Sequence, residues 1–274
     1  STGLQDQLGR KGSMWLYENK YTLPVAFMLP GDVEGNWLLD SGNPAVVQND
    51  LCNVLGTRDV LVSNEGAAEG KKFTFTSEEN GQYYVYVTNK KVEKVTAAMG
   101  EKSKTFDNVD RGYFLELGYL VRGTEVELRC EDDGNPTLQA EVWRFDTEAF
   151  KEFYEKMDQN PVKLSRWKDT QLSGTIHADT VGTMYTSIPY DKGWKFTVDG
   201  VETETRSIFD TFVAADLSEG DHEITLTYEP EGLKTGAMIT GVSLAVFAGA
   251  ALFTAVNEKN KKKIGKNRKN SRKM

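Results

Sequence analysis

Hydrophobic and polar residues alternate over most of the first 145 positions. KKFTFT and QYYVYVT alternate residue by residue and are separated by the turn-forming SEENG, the pattern of a β-hairpin. VEKVTAAM, GYFLELGYL, TEVELRC and LQAEVWRF continue the two-residue period. Upstream, MWLYENKYTLPVAFML is aromatic and extended in character. Two stretches break the period. Pro44 to Gly56 predicts a short helix, with proline at the favoured first position and glycine at the end. In DTEAFKEFYEKM, Phe150, Phe153, Tyr154 and Met157 recur at helical spacing. Asp146 suits the N-cap there, and Glu148 places negative charge in the first turn.

Alternation resumes from about Lys163. GTIHAD, GTMYTSIPY, WKFTVDG, FVAADL and HEITLTYEP read as strands, a spacing that suits a small antiparallel sandwich. Asp199-Gly200 is a hairpin-turn signal, since both residues tolerate positive φ. Ser218 to His222 is a second turn. The expected fold is mainly β: two antiparallel sandwich-like domains with short helices, followed by one transmembrane helix. The expected division is 1–162, with helices near 44–56 and 146–158, then 163–235, a span at 236–256 and a tail at 257–274.

The span is GAMITGVSLAVFAGAALFTAV, 21 residues without a charge. A bilayer core needs about 20 residues of helix, and a core helix of a soluble domain would show a polar face. Gly241, Ala245 and Gly249 repeat every four residues on one side. Small residues at that spacing allow close helix packing, which a lone anchor does not need and the last helix of a bundle does.

Charge divides the chain further. Nine of the 33 Lys/Arg and one of the 41 Asp/Glu lie in 257–274, leaving 24 basic and 40 acidic residues, a net of −16, in the rest. An acidic body argues against nucleic-acid binding, which needs a basic face. The basic cluster after the span predicts a cytoplasmic C-terminus by the positive-inside rule, and nine basic residues there favour contact with anionic lipid. The body is then expected outside the cell membrane. The chain opens Ser-Thr-Gly with no signal peptide, so it is expected to be the C-terminal part of a longer membrane protein.

The chemistry-bearing residues are sparse. His177 and His222 are the two histidines, and no Cys/His spacing fits zinc. EDDGNP lacks the calcium-loop spacing. No serine sits in a nucleophile elbow, and with 41 acids, chance carboxylate pairs are no evidence of a glycosidase. No metal, cofactor or catalytic residue is expected. Cys52 and Cys130 read as unpaired, buried thiols. Aromatics that could stack on sugar rings are Tyr190, Trp194, Trp143, Trp167 and Tyr113. In WKFTVDG, however, Trp194 shares the apolar face with Phe196 and Val198, which favours a core role. Tyr190 and Asp191, with Trp194 beside them, are the carbohydrate-contact candidates.

SIPYDKGWKFTVDG, followed by LSEGDHEITLTYEPEGLKTG and a span, resembles the C-terminal end of the YfhO family of bacterial membrane proteins. LYENKYTLPVAFM and NPAVVQNDLCNVLG agree, so the resemblance covers nearly the whole chain. It implies a polytopic protein with a GT-C-like membrane core that transfers sugar from a polyprenyl-phosphate carrier to a cell-surface polymer such as teichoic acid. In such cores the catalytic carboxylates lie in outer loops near the first membrane helices, a region this sequence does not contain. The expected partners are the bilayer, the protein's own N-terminal membrane domain and a surface glycopolymer. The alternative is a single-span surface protein whose sandwiches bind glycan or a protein; no LPxTG sorting motif precedes the span.

Overall fold

The computed structural model describes residues 5–11, 14–134 and 136–271. The first sandwich packs a four-stranded sheet against a five-stranded one, all pairs antiparallel. Gly81–Val87 and Ala140–Phe145 are the central strands of the smaller sheet, and Glu125–Cys130 is the central strand of the larger. Alternation sets which side chains enter. Phe73 and Phe75 point inward from Lys72–Thr76, and they meet Tyr83, Val85, Leu115 and Leu128 in one buried cluster. Full burial of such a side chain contributes about 1.5–3 kcal/mol.

The second sandwich packs a five-stranded sheet, centred on Gly220–Tyr228, against a four-stranded one. Phe196, Leu226, Ile224 and Met184 are fully buried between them. Trp194 and Val198 lie partly buried against the same cluster, so the inward face of WKFTVDG is the one the alternation indicates. Asp199 and Gly200 both sit at positive φ, 51° and 81°, as a two-residue hairpin turn requires.

The edge strand of that four-stranded sheet comes from far upstream. Ala26–Met28 pairs with Gly182–Pro189, Met184 opposite Met28 and Thr186 opposite Ala26. The chain then leaves for the first sandwich and returns beside its point of departure. Met28 N–H donates to Asn160 O at 3.1 Å, and Val162 N–H donates to Ala26 O at 3.0 Å. The first sandwich is thus an insertion in the second, closed at its stem.

Two helices fill the space between the sandwiches. Pro44–Val54 is capped by Asn43, whose side chain accepts from Ala45 N–H, and Gly56 follows it at φ 67°. Thr147–Met157 is capped by Asp146, which accepts from both Glu148 and Ala149 N–H. Leu51, Leu55 and Met157 pack on Phe27 of the second sandwich. Ala45, Cys52 and Ala149 pack on Leu61 and the aromatics of the first. Short polar strands absent from the alternation complete the sheets; Lys163–Lys168 and Lys102–Asp107 are two.

The last helix runs Leu233–Ser271, beyond the charge-free stretch. Its segment Leu233–Lys259 is long and apolar enough to cross a membrane, the most apolar 18 residues having a mean hydropathy of 2.0, and none of those is buried.

Candidate functional site

The loop Tyr190–Gly193 joins the two sheets of the second sandwich at the end where the chain passes to the last helix. Three hydrogen bonds hold it. Tyr190 N–H donates to Thr211 O at 2.8 Å, and Trp194 N–H donates to Asp191 O at 3.1 Å. Gly193 N–H donates to Asp191 Oδ1 at 2.7 Å. Gly193 O in turn accepts from Glu229 N–H at 2.9 Å, tying the loop to the segment that enters the helix. A Cβ on Gly193 would stand 2.6 Å from Glu229 O, so only glycine fits.

Tyr190 and Asp191 are exposed on this loop, and the Trp194 ring lies 4.9 Å from that of Tyr228. The other aromatic candidates are scattered. Trp167 is exposed on the Lys163–Lys168 edge strand. Tyr113 donates to Asp107 O at 2.6 Å. Trp143 packs in the cluster around Cys52 and Leu61, and its Nε1 is buried without a hydrogen-bond partner. Gly241, Ala245 and Gly249 share an exposed face of the last helix.

His222 is hydrogen-bonded to Asp199 at the far end of this sandwich. Its Nδ1 lies 2.8 Å from Asp199 Oδ2, and its Nε2 lies 2.9 Å from Ser218 O. Asp199 and the Ser218 carbonyl raise the His222 pKa, and His222 lowers that of Asp199. The pair staples two turns. Arg206 is a second staple: it reaches Glu34 at 2.6 Å and Asp216 at 2.9 Å, and donates to Thr183 Oγ1 at 2.9 Å. Both cysteines are free and buried, in different clusters, and burial raises their pKa values. Among the described residues no group of three or more His, Cys, Asp or Glu could hold a metal ion.

One further feature, an apolar cleft, has no signature in the sequence. A cleft of about 360 Å³ lies between the outer face of the four-stranded sheet and the helices. Its floor is Phe27, Val33, Leu51 and Met157, all buried. Trp37, Phe153, Tyr185, Phe209 and Phe212 form partly buried walls. Leu23 and Ser187 stand exposed at its rim, with Pro24 beside them. These residues come from segments that only the fold brings together, so no motif could have marked them.

Two antiparallel sandwiches carried on one apolar helix define a membrane-associated β protein. The sequence matches the family described as bacterial membrane protein YfhO over residues 56–240, and the chain belongs to that family. A Bacillus subtilis (strain 168) protein named "Uncharacterized protein YfhO" is 32 % identical over 194 residues, covering 69 % of this chain and 20 % of that protein. The chain therefore spans about a fifth of that relative's length. Among solved structures, a cupin 2 conserved barrel domain protein from Leptotrichia buccalis aligns with 60 % of this chain and 89 % of its own, at 14 % identity and a TM-score of 0.17. A Paenibacillus sp. cycloisomaltooligosaccharide glucanotransferase aligns with 60 % of this chain and 44 % of its own, at 12 % identity and a TM-score of 0.18.

Proposed function

We propose that this chain is the extracytoplasmic C-terminal part of a polytopic YfhO-family glycosyltransferase of the GT-C type. The whole protein would move sugar from a polyprenyl-phosphate carrier to a cell-surface polymer such as teichoic acid. The observation that carries the reading is the direct attachment of a two-sandwich body to a membrane-crossing helix in a YfhO-family chain. The basic cluster beyond that helix favours a cytoplasmic C-terminus and so an outer body. In this reading the described chain is not itself catalytic. It caps the membrane core and orients the acceptor, with Tyr190, Asp191 and Trp194 as the contact surface beside the membrane. Gly241, Ala245 and Gly249 pack the last helix against the rest of the bundle.

The test is removal of residues 163–228 from the full-length protein, with protein abundance and sugar transfer as readouts. Loss of either supports the reading; no change in both overturns it. The alternative, a single-span glycan- or protein-binding surface protein, draws on the exposure of Trp167 and Tyr190. Upstream sequence separates the two readings, since roughly ten or more hydrophobic spans fit the transferase. A single signal peptide fits the binding protein.

A further inference from the structure

We propose that the apolar cleft between the second sandwich and the helices takes the hydrocarbon chain of a membrane lipid. The inference rests on membrane attachment alone and does not need the sugar-transfer reading.

The first support is chemical. The floor and walls are aliphatic and aromatic, and no charged side chain lines them. The volume, about 360 Å³, falls in the ordinary range of small-molecule sites. A charged or strongly polar ligand would lose its hydration there without compensation, so the occupant must be apolar along its length.

The second support is location. The rim turn 209–212 accepts a hydrogen bond at Thr211 O from Tyr190, and the same loop, through Gly193 O, holds Glu229. Glu229 pairs with Lys234 at 2.8 Å, on the first turn of the last helix. From Glu229 to Leu233 is four residues, a reach of about 14 Å at most. The headgroup layer is itself about 5–8 Å thick. Exposure within the cleft increases from Phe27 and Met157 toward Leu23, Ser187 and Phe212. Strand register places Phe212, opposite Pro189, at the same end of the sandwich as Tyr228, opposite Trp194, and Ser187 lies two residues before Pro189. The exposed rim of the cleft therefore lies at the end of the sandwich from which the last helix departs.

The third support is a cost retained in the wall. Phe209 and Asp210 both sit at φ near 50°, a turn that favours Asn and Gly. A bulky residue there is an outlier. It is kept where its ring completes the wall, 5.2 Å from Trp37.

The driving force is modest and specific. A lipid chain is already out of water, so what it gains is contact with the walls, and what the protein gains is their dehydration. High local lipid concentration makes a weak site sufficient.

The test uses the full chain in phosphatidylglycerol nanodiscs containing a lipid with a diazirine at mid-chain. After irradiation, adducts are mapped by mass spectrometry. The expected result is labelling of cleft residues such as Met157, Tyr185 and Phe209 in addition to the membrane helix. Ser187→Trp, which plugs the exposed rim, should lower cleft labelling about tenfold, as a loss of one order in affinity would. It should leave helix labelling unchanged and the thermal midpoint within about 2 °C. A second variant, Phe209→Asn, keeps a turn-compatible residue but removes the wall, and should also lower cleft labelling. Adducts confined to the membrane helix, or cleft adducts that survive both substitutions, overturn the proposal. Neither outcome bears on sugar transfer.

Discussion

Phe209 stands edge-on to Trp37, their ring centroids 5.2 Å apart, while its own backbone lies at φ 51°. A favourable ring contact and an unfavourable backbone thus meet in one residue. The left-handed conformation costs a non-glycine residue about 1–2 kcal/mol. Asn tolerates it; Leu does not. If backbone strain dominates, Phe209→Asn will be more stable than Phe209→Leu by about 1 kcal/mol, although Leu is the better apolar replacement. Chemical denaturation of the two variants decides the order. Leu above Asn would mean that packing outweighs the backbone.

The His222–Asp199 pair predicts a pH dependence. His222 is raised, so its contribution is complete below the ordinary histidine value near 6.5 and fades as pH rises through its higher folded value. Asp199 is lowered, so its contribution is present above about 3.9 and fades as pH falls through its lower folded value. Both act together between about pH 4 and 6.5. Asn at 199 keeps the turn and can still accept from Glu223 N–H, but it cannot carry charge. The thermal midpoint difference between the wild type and Asp199→Asn should be larger at about pH 5.5 than at about pH 8.5. Equal differences would show that the pair acts only as a neutral hydrogen bond.

Gly193 predicts a mechanical effect. Alanine there meets a backbone oxygen, which cannot swing aside as a side chain can. Overpacking of this kind costs about 1–3 kcal/mol. Gly193→Ala should lower the thermal midpoint and speed proteolysis within 229–232, because the Glu229 hydrogen bond is the tether. Gly236→Ala, where a Cβ meets nothing within 4 Å and the residue is helical, is the control and should neither lower the midpoint nor speed that proteolysis.

The thiols predict slow chemistry. Burial raises both Cys52 and Cys130, so the native fraction of thiolate is small as well as inaccessible. Alkylation by iodoacetamide at about pH 8 should be on the order of a hundredfold slower in the native chain than in denaturant. Fast native labelling of either residue would locate an opening of its cluster.

Asp146 predicts a helix effect. It accepts from two N–H groups that the first turn cannot otherwise satisfy. Asp146→Ala should cost about 1 kcal/mol in denaturant titration, and Asp146→Asn most of that less.

Much of this architecture was legible because short-range rules decide it. Phe73, Phe75, Tyr83 and Val85 face inward because a strand turns alternate residues to one side, and the Asp146 cap obeys local hydrogen bonding. Lys163–Lys168 and Lys102–Asp107 were not legible, since exposed edge strands carry no apolar stripe. The partner of Ala26–Met28 was not legible either. Three apolar residues can close any sheet, and only the completed fold selects Gly182–Pro189. Within Tyr190–Trp194, the inward turn of Trp194 follows from alternation, whereas the link from Gly193 to Glu229 is a tertiary contact with no local signature. The cleft is the extreme case, assembled from residues as far apart as Leu23 and Phe212.

The stem at Ala26–Met28 and Asn160–Val162 has a consequence for how the molecule bears load. Tension drawn between the chain upstream of residue 26 and the membrane helix enters and leaves through the second sandwich. It shears the short pairing of Ala26–Met28 with Gly182–Pro189 and pulls on Gly220–Tyr228. As long as those ladders hold, the first sandwich hangs off the force path and feels none of it. Under rising force the clasp at residues 26–28 is the fuse, and the inserted domain unravels only after it slips.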